Sequence, residues 1–562
     1  MSDQHETAGS LLLVDHESRA PLLEHQPSAS AAARQRPNDQ AKTKYLWNER
    51  EHPEDLRHQR WGVIAPEGAE GDRLLDAIRP LIRRREEQQG AKAIVYRVPP
   101  RMDALEAIDW RRNVFETGAQ FRDDLPRYQL VLGDLHQVSA DLQAVQAIDA
   151  FVGRLAFDSL DDYAAYVDKA LRWEERAADG ARRRLLMHTV HDGTDSTSVG
   201  HRELVAPSYK LLEDKFKYDR SIDVDLQALG SDDPYPGELL SETFDPAPTV
   251  LFSLSHGDGA PRRGWRSYDL QRRAQGAMSF GRGGSLTGDE LRDRVFLPGG
   301  LWFMLACFSA GTPSTSKFER WLRELQASGA QSAAPAEVLR SLPKEGQAPF
   351  VAAVPKAALA NPDGPLGFVG HVDLAWTYSF RRIDSRDKAQ SRPARFAELL
   401  RAAATGARIG LAFRQLYSYF TQIDNELVVR QADPNTPAER RGHLWMLRQD
   451  LAGYVLLGDP AARLPEPKPE PVEPTAATAQ STGGGADLAG FFGFAVDTST
   501  AAAPAPKKLE LRELEAAIGE VLAGASAATI ARALGITASE LEAKVARYRE
   551  AGRRALRDAG DV

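Results

Sequence analysis

Residues 301–313 read LWFMLACFSAGTP. Positions 301–306 are apolar without a break, the pattern of a strand buried in a parallel sheet. The run stops at Cys307, and Ser309, Ala310, Gly311 and Pro313 follow. Cys307 is the sole cysteine of the chain. A lone cysteine where a buried strand breaks into a loop is a candidate nucleophile. The same residue, buried, would act as a small hydrophobe with an inert thiol.

A second stretch bears on that choice. Residues 249–259 read TVLFSLSHGDG. Another β-rich run ends in a polar loop, and the first strong base there is His256, followed by Gly257. In parallel α/β sheets the carboxyl ends of the strands form the crevice where ligands bind. Two such ends would set a base beside a nucleophile. Glycine after the histidine admits close backbone approach, and its N–H is free to donate to an oxyanion.

The pair Ser255-His256-Gly257 and Ala306-Cys307, with 51 residues from His256 to Cys307, resembles the caspase-haemoglobinase fold of cysteine peptidases, with the gingipain-like branch the best fit. Leu132-Gly133-Asp134 and Val152-Gly153-Arg154-Leu155, followed by a Tyr-rich helix, are similar to the first subdomain of that branch. Relatives usually continue the Gly-Asp with proline, whereas here Leu135 and His136 follow. Residues 370–376 (GHVDLAW) and 457–460 (LGDP) resemble two further stretches of the branch. The resemblance spans about residues 61–464. It implies a parallel-sheet catalytic domain preceded by a smaller α/β subdomain. It also implies Cys307 as nucleophile, His256 as base, and the backbone N–H groups of Gly257 and Cys307 as oxyanion donors. Asp373 and Trp376 would line the pocket for the substrate side chain before the cut. A carboxylate under an aromatic wall suits Arg or Lys there. Against this, Asp373 as a structural cap and Trp376 as a core residue remain open. No cofactor and no metal are implied.

Composition narrows the class. Hydrophobic residues at 42% and charged residues at 27% are a globular balance. The net charge of −8 gives no basic footprint for nucleic acid or anionic membrane. One cysteine permits no internal disulfide and fits a reducing compartment. No stretch reaches the ~18 apolar residues of a membrane span, and the first residues lack a signal-peptide pattern. A cytoplasmic location is expected.

The domain reading runs in five parts: a disordered tail at 1–42, an N-terminal α/β subdomain at 43–180, a caspase-like catalytic domain at 181–464, a Pro/Ala/Gly-rich linker at 465–507, and an all-α unit at 508–562. Strands are expected at 61–65, 93–98, 128–132, 151–157 and 184–190. Helices are expected at 68–85, 158–178, 209–217, 287–295, 316–328, 395–419 and 438–453. The last α-helix set is to follow a strand at 367–369 and precede one at 454–457. Residues 191–201 hold His191, Asp192, Asp195 and His201 and read as a polar loop rather than a metal site. Residues 223–245 read as an acidic irregular loop, and 261–284 as a mobile Arg/Gly-rich loop open to self-processing. The 508–562 unit resembles a helix-turn-helix. Glu540 and Glu542 stand where phosphates would lie, which favours a protein-interaction or oligomerisation module over DNA binding.

Three functions from different classes follow: an active cysteine endopeptidase recruited by its C-terminal unit, a catalytically silent scaffold on the same fold, and a DNA-binding regulator. A protein substrate, a protein partner through the C-terminal unit and no membrane are the expected partners.

Overall fold

The computed structural model describes residues 51–117, 125–176, 182–219, 222–261, 264–327, 338–342, 344, 346–380 and 391–465, with seven residues between 517 and 545. The expected tail at 1–42, the linker beyond 465, most of the terminal helical unit, and Arg262 and Arg263 of the Arg-rich loop lie outside the described residues. The chain divides into two compact units, Met1–Pro471 and Val472–Val562. In the second, the seven described residues are all helical, and Ala517, Ala531 and Leu541 pack together.

The first unit is α/β. Its strands are β1 (Trp61–Pro66), β2 (Ile94–Val98), β3 (Tyr128–Leu132), β4 (Phe151–Leu155), β5 (Arg183–Thr189), β6 (Val224–Leu229), β7 (Thr249–Leu254), β8 (His256–Gly257), β9 (Met278–Ser279), β10 (Ser285–Leu286), β11 (Leu301–Leu305), β12 (Gly311–Thr312), β13 (Phe350–Val351), β14 (Gly367–His371) and β15 (Tyr454–Gly458). Ten of them form one sheet in the order β2-β1-β3-β4-β15-β14-β11-β7-β5-β6. Every residue of β1, β3, β4, β7, β11 and β14 is buried. That burial is why these strands read as unbroken apolar runs: helices cover both faces, and neither side needs polar residues. The edge strands β2 and β6 keep partly exposed positions.

The sheet changes direction once. β15 runs parallel to β4, with Leu457 opposite Arg154, and antiparallel to β14, from Gly367–Gly458 to His371–Tyr454. The last strand therefore joins two parallel half-sheets of opposite direction into one. The residues after β15 fasten this joint. Asp459 accepts from Trp61 Nε1 at 3.0 Å and from Arg85 Nε at 2.9 Å, and its own N–H donates to Tyr166 Oη. Lys356 bridges Asp134 and Asp158 at 2.8 Å each, tying the Gly133-Asp134 turn to the other half.

Several local expectations are corrected. The helix expected at 68–85 is two, Gly68–Ala77 and Arg79–Gln89; Pro80 offers no N–H to a continuous ladder, so the chain breaks at Ile78. The helix expected at 395–419 is likewise two, Ser391–Ala404 and Ile409–Ala432, parted at Gly406 with φ 95°. Residues 223–245 are not irregular: they hold β6 and the helix Pro236–Thr243. Their acidic residues mask an alternation of Val224, Leu226 and Ala228 that suits an edge strand. Within 261–284 lie a helix, Tyr268–Ala274, and β9. The capping box of Thr287 and Glu290 is present, but its helix is only Gly288–Leu291.

Candidate active site

β7 and β11 are parallel neighbours, with Leu254 opposite Leu305. Ser255 N donates to Leu305 O at 3.2 Å and carries the pairing one residue further. His256 and Cys307 each lie two residues past those partners, so the two strand ends deliver them at the same level. Gly257 makes the contact between the two loops possible: a Cβ there would lie 1.9 Å from the Cys307 carbonyl oxygen. Only glycine admits that approach.

His256 is held from behind. β8 pairs with β9, and β9 with β10, in a small antiparallel sheet. Asp258 N donates to Ala277 O at 2.9 Å. Antiparallel pairing alternates, so the N–H of Gly257 points away from β9 and out of the ladder. On the ring, Nε2 lies 2.9 Å from Thr194 Oγ1 and 3.8 Å from Asp192 Oδ2. Thr194 Oγ1 also donates to Asp192 Oδ1 at 2.8 Å. A hydroxyl has one proton, so with it on Asp192, Thr194 accepts from His256. Nε2 then carries the ring proton and Nδ1 keeps its lone pair. Burial pulls the Asp192 carboxyl upward. Hydrogen bonds from Thr197 and Thr194 and the nearby His256 more than offset this, holding the group below the usual carboxylate range.

Cys307 makes different contacts. Its Sγ accepts from Ala375 N at 3.3 Å and lies 3.4 Å from Ala375 O, to which the thiol can donate. Burial, with Asp450 and Asp373 nearby, pushes the thiol up to about 11. Among the described residues no hydrogen bond joins Cys307 to His256. The resting state is therefore a protonated thiol parked on the turn after β14.

Asp373 and Trp376 lie on that same turn. Asp373 is buried; Oδ1 accepts from Leu374 N at 2.7 Å and Oδ2 from Lys317 N at 2.9 Å. Its carbonyl accepts from Phe308 N, the residue after Cys307, at 2.8 Å. Both oxygens of the carboxyl expected to meet a substrate cation are therefore engaged by backbone amides. Trp376 packs against Trp321 and Phe318 at centroid distances of 5.4 and 5.8 Å. Cys307 borders this apolar group, together with Phe308, Leu342 and Leu374.

Asp192 and Thr194 were missed in sequence. The signal was there: Asp192 follows an expected strand that neighbours the His256 strand. His188 and His191 do not form a metal site: His188 is buried inside β5, while His191 meets His201 edge-on at a centroid distance of 4.9 Å. Among the described residues no cluster of His, Cys, Asp or Glu suits a metal ion. A cavity of about 300 Å³ lies between the half-sheets, lined by Met102, Leu135, Phe413, Tyr417, Lys317 and Asp373 but by neither His256 nor Cys307. Among the described residues no helix is long and apolar enough to cross a membrane.

No family model matches this chain, and no curated protein matches it. Among solved structures it is similar to the Arg specific cysteine proteinase gingipain R (RgpB), at 12% identity over 73% of this chain and 78% of that one, with a TM-score of 0.41. The complex of Porphyromonas gingivalis RgpB pro- and mature domains matches at 12% identity over 72% and 79%, TM-score 0.39. The Saccharomyces cerevisiae separase–securin complex matches at 11% over 59% of this chain and 15% of that one, TM-score 0.26.

Proposed function

We propose that this chain is a cysteine endopeptidase of the caspase-haemoglobinase type. The observation that carries the reading is the level placement of His256 and Cys307 on adjacent parallel strands, with the imidazole oriented by Thr194 and Asp192. In the reaction, the Cys307 thiol passes its proton to His256 Nδ1 and the thiolate attacks the scissile carbonyl carbon. The N–H groups of Gly257 and Cys307 receive the oxyanion. His256 returns the proton to the leaving amine as the C–N bond breaks, and water hydrolyses the thioester. The resting contact with Ala375 makes release of Sγ the arming step.

A cut after Arg or Lys, read by Asp373, would require that carboxylate to leave the amides of Leu374 and Lys317. The aromatic side chains beside Cys307 favour an apolar residue before the cut, with Trp376 as a wall. The helical C-terminal unit serves as a recruitment or oligomerisation module in this reading. The silent-scaffold alternative draws on one observation, the parked and protonated thiol.

Iodoacetamide labelling of the native chain separates the two. The peptidase reading expects Cys307 to react faster in the wild type than in His256→Ala, because a neighbouring imidazole favours the thiolate. Equal rates support the scaffold.

A further inference from the structure

Behind the nucleophile loop lies a titratable ring that the proposed mechanism does not use. His371 ends β14 and is fully buried. A Cβ on Gly453 would sit 2.1 Å from the ring, so only glycine leaves room for it there, and Tyr454 packs edge-on at 5.0 Å. Its Nδ1 lies 3.1 Å from the carbonyl oxygen of Asp373, and its Nε2 lies 2.9 Å from the carbonyl oxygen of Asp450. Both partners only accept. A neutral imidazole has one N–H and one lone pair, so either tautomer sets a lone pair against a carbonyl oxygen. The doubly protonated ring satisfies both contacts. Its counter-charge is at hand: Asp450 Oδ1 lies 3.6 Å from Nε2. The two Asp450 oxygens accept from Trp376 N and Ser379 N at 2.8 and 2.9 Å, the bonding of an ionised carboxylate.

Burial acts the other way. It outweighs the hydrogen bonds each group makes, drawing the imidazole down to about 4 and lifting the Asp450 carboxyl to about 7. Those two displacements describe one proton placed on Asp450 instead of His371. The pair is neutral overall in either arrangement, so moving the proton to the ring adds no net charge to the interior. It removes the lone-pair contact at Nδ1 and leaves every polar atom of the pair matched.

We propose that His371 is a buried imidazolium paired with Asp450, a positioning residue that fixes the turn carrying Ala375 against Cys307 and offsets the negative charge behind the thiolate. The links are on the same turn. Asp373 O takes both His371 Nδ1 and Phe308 N, Ala375 holds Sγ, and Trp376 N sits on Asp450. The other titratable groups facing the ring are the Asp373 carboxyl, the Tyr454 phenol, the Cys307 thiol and Lys317, whose charge opposes protonation of the ring. Asp450 and Asp373 both disfavour a thiolate at Cys307, and a positive ring beside them reduces that effect. The catalytic consequence rests on the peptidase reading; the protonation state does not.

The test uses the full chain with 15N-labelled histidine and long-range proton–nitrogen NMR at pH 8. Ordinary histidines are neutral there. Of the twelve histidines, one is expected to keep both ring protons, and its signals are to vanish in His371→Gln. The absence of any doubly protonated ring at pH 8 overturns the inference, whether or not a peptide is ever cut. In a second arm, iodoacetamide labelling of Cys307 in folded His371→Gln is expected to slow about tenfold, one unit of thiol pKa. An unchanged rate overturns the positioning role.

Discussion

Phe308 at φ 55° and Asp373 at φ 126° are both non-glycine residues with left-handed backbone, and they face each other through the Phe308 N–H to Asp373 carbonyl bond. Such conformations cost ~1–3 kcal/mol each and persist where surroundings enforce them. Here the Asp373 carboxylate is the enforcer, since it grips the amides of Leu374 and Lys317. Asp373→Asn places an NH2 against one of those donors and is expected to destabilise the chain by ~1–3 kcal/mol, read as a shift in the urea unfolding midpoint. The preferred residue before the cut should not change. A changed preference would restore Asp373 to the substrate pocket. The Asp192 carboxylate acts through Thr194 on the imidazole. Asp192→Asn should lower kcat about a hundredfold while KM holds, because the amide no longer fixes the proton on Nε2. Burial pushes the Cys307 thiol up, so its labelling rate should rise about tenfold per pH unit from 8 to 10 as thiolate accumulates. A plateau below pH 9 would mean an already activated thiol. The sequence displayed Cys307 and His256 plainly, since each ends an apolar run. It hid the contacts of Asp373 and Asp192: a carboxylate that accepts from backbone amides and one that accepts from a threonine hydroxyl look alike in a string of letters.

β7 and β11 owe their legibility to full burial, which leaves little but apolar letters. β6 is hard to read because an edge strand tolerates the half-buried polar residues Asp225 and Gln227. Helix breaks at Pro80 and Gly406 are masked in sequence by the apolar stripes that run through them. The small sheet of β8, β9 and β10 could not be seen, because two-residue strands carry no periodicity. Its role is nonetheless testable. Gly257→Ala drives a methyl into the Cys307 carbonyl, and one of the two loops must yield. The expected result is loss of peptide cleavage by at least a hundredfold, with the thermal midpoint lowered by a few degrees at most, because the ten-stranded sheet is untouched. Full activity in that variant would remove Gly257 from the site.

At the scale of the molecule, the last strand of the first unit decides how the halves meet. Asp459 and Arg85 form a fully buried pair, which Glu174 and Trp61 complete. Asp459→Asn leaves the guanidinium of Arg85 with Glu174 as its one carboxylate partner and is expected to cost ~1–3 kcal/mol, measured by denaturant unfolding of both half-sheets in one transition. Two separate transitions would show halves that fold alone. Residues 457–460 carry a family resemblance in sequence, yet the placement of β15 between β4 and β14 follows from long-range pairing that no local pattern encodes. The central claim is that Cys307, served by His256, hydrolyses peptide bonds. It is tested most directly by incubating the purified full chain with a peptide library and reading new termini by mass spectrometry, beside Cys307→Ala and His256→Ala. New termini with wild type alone are the predicted result. The same termini with Cys307→Ala, or none with wild type, would contradict it.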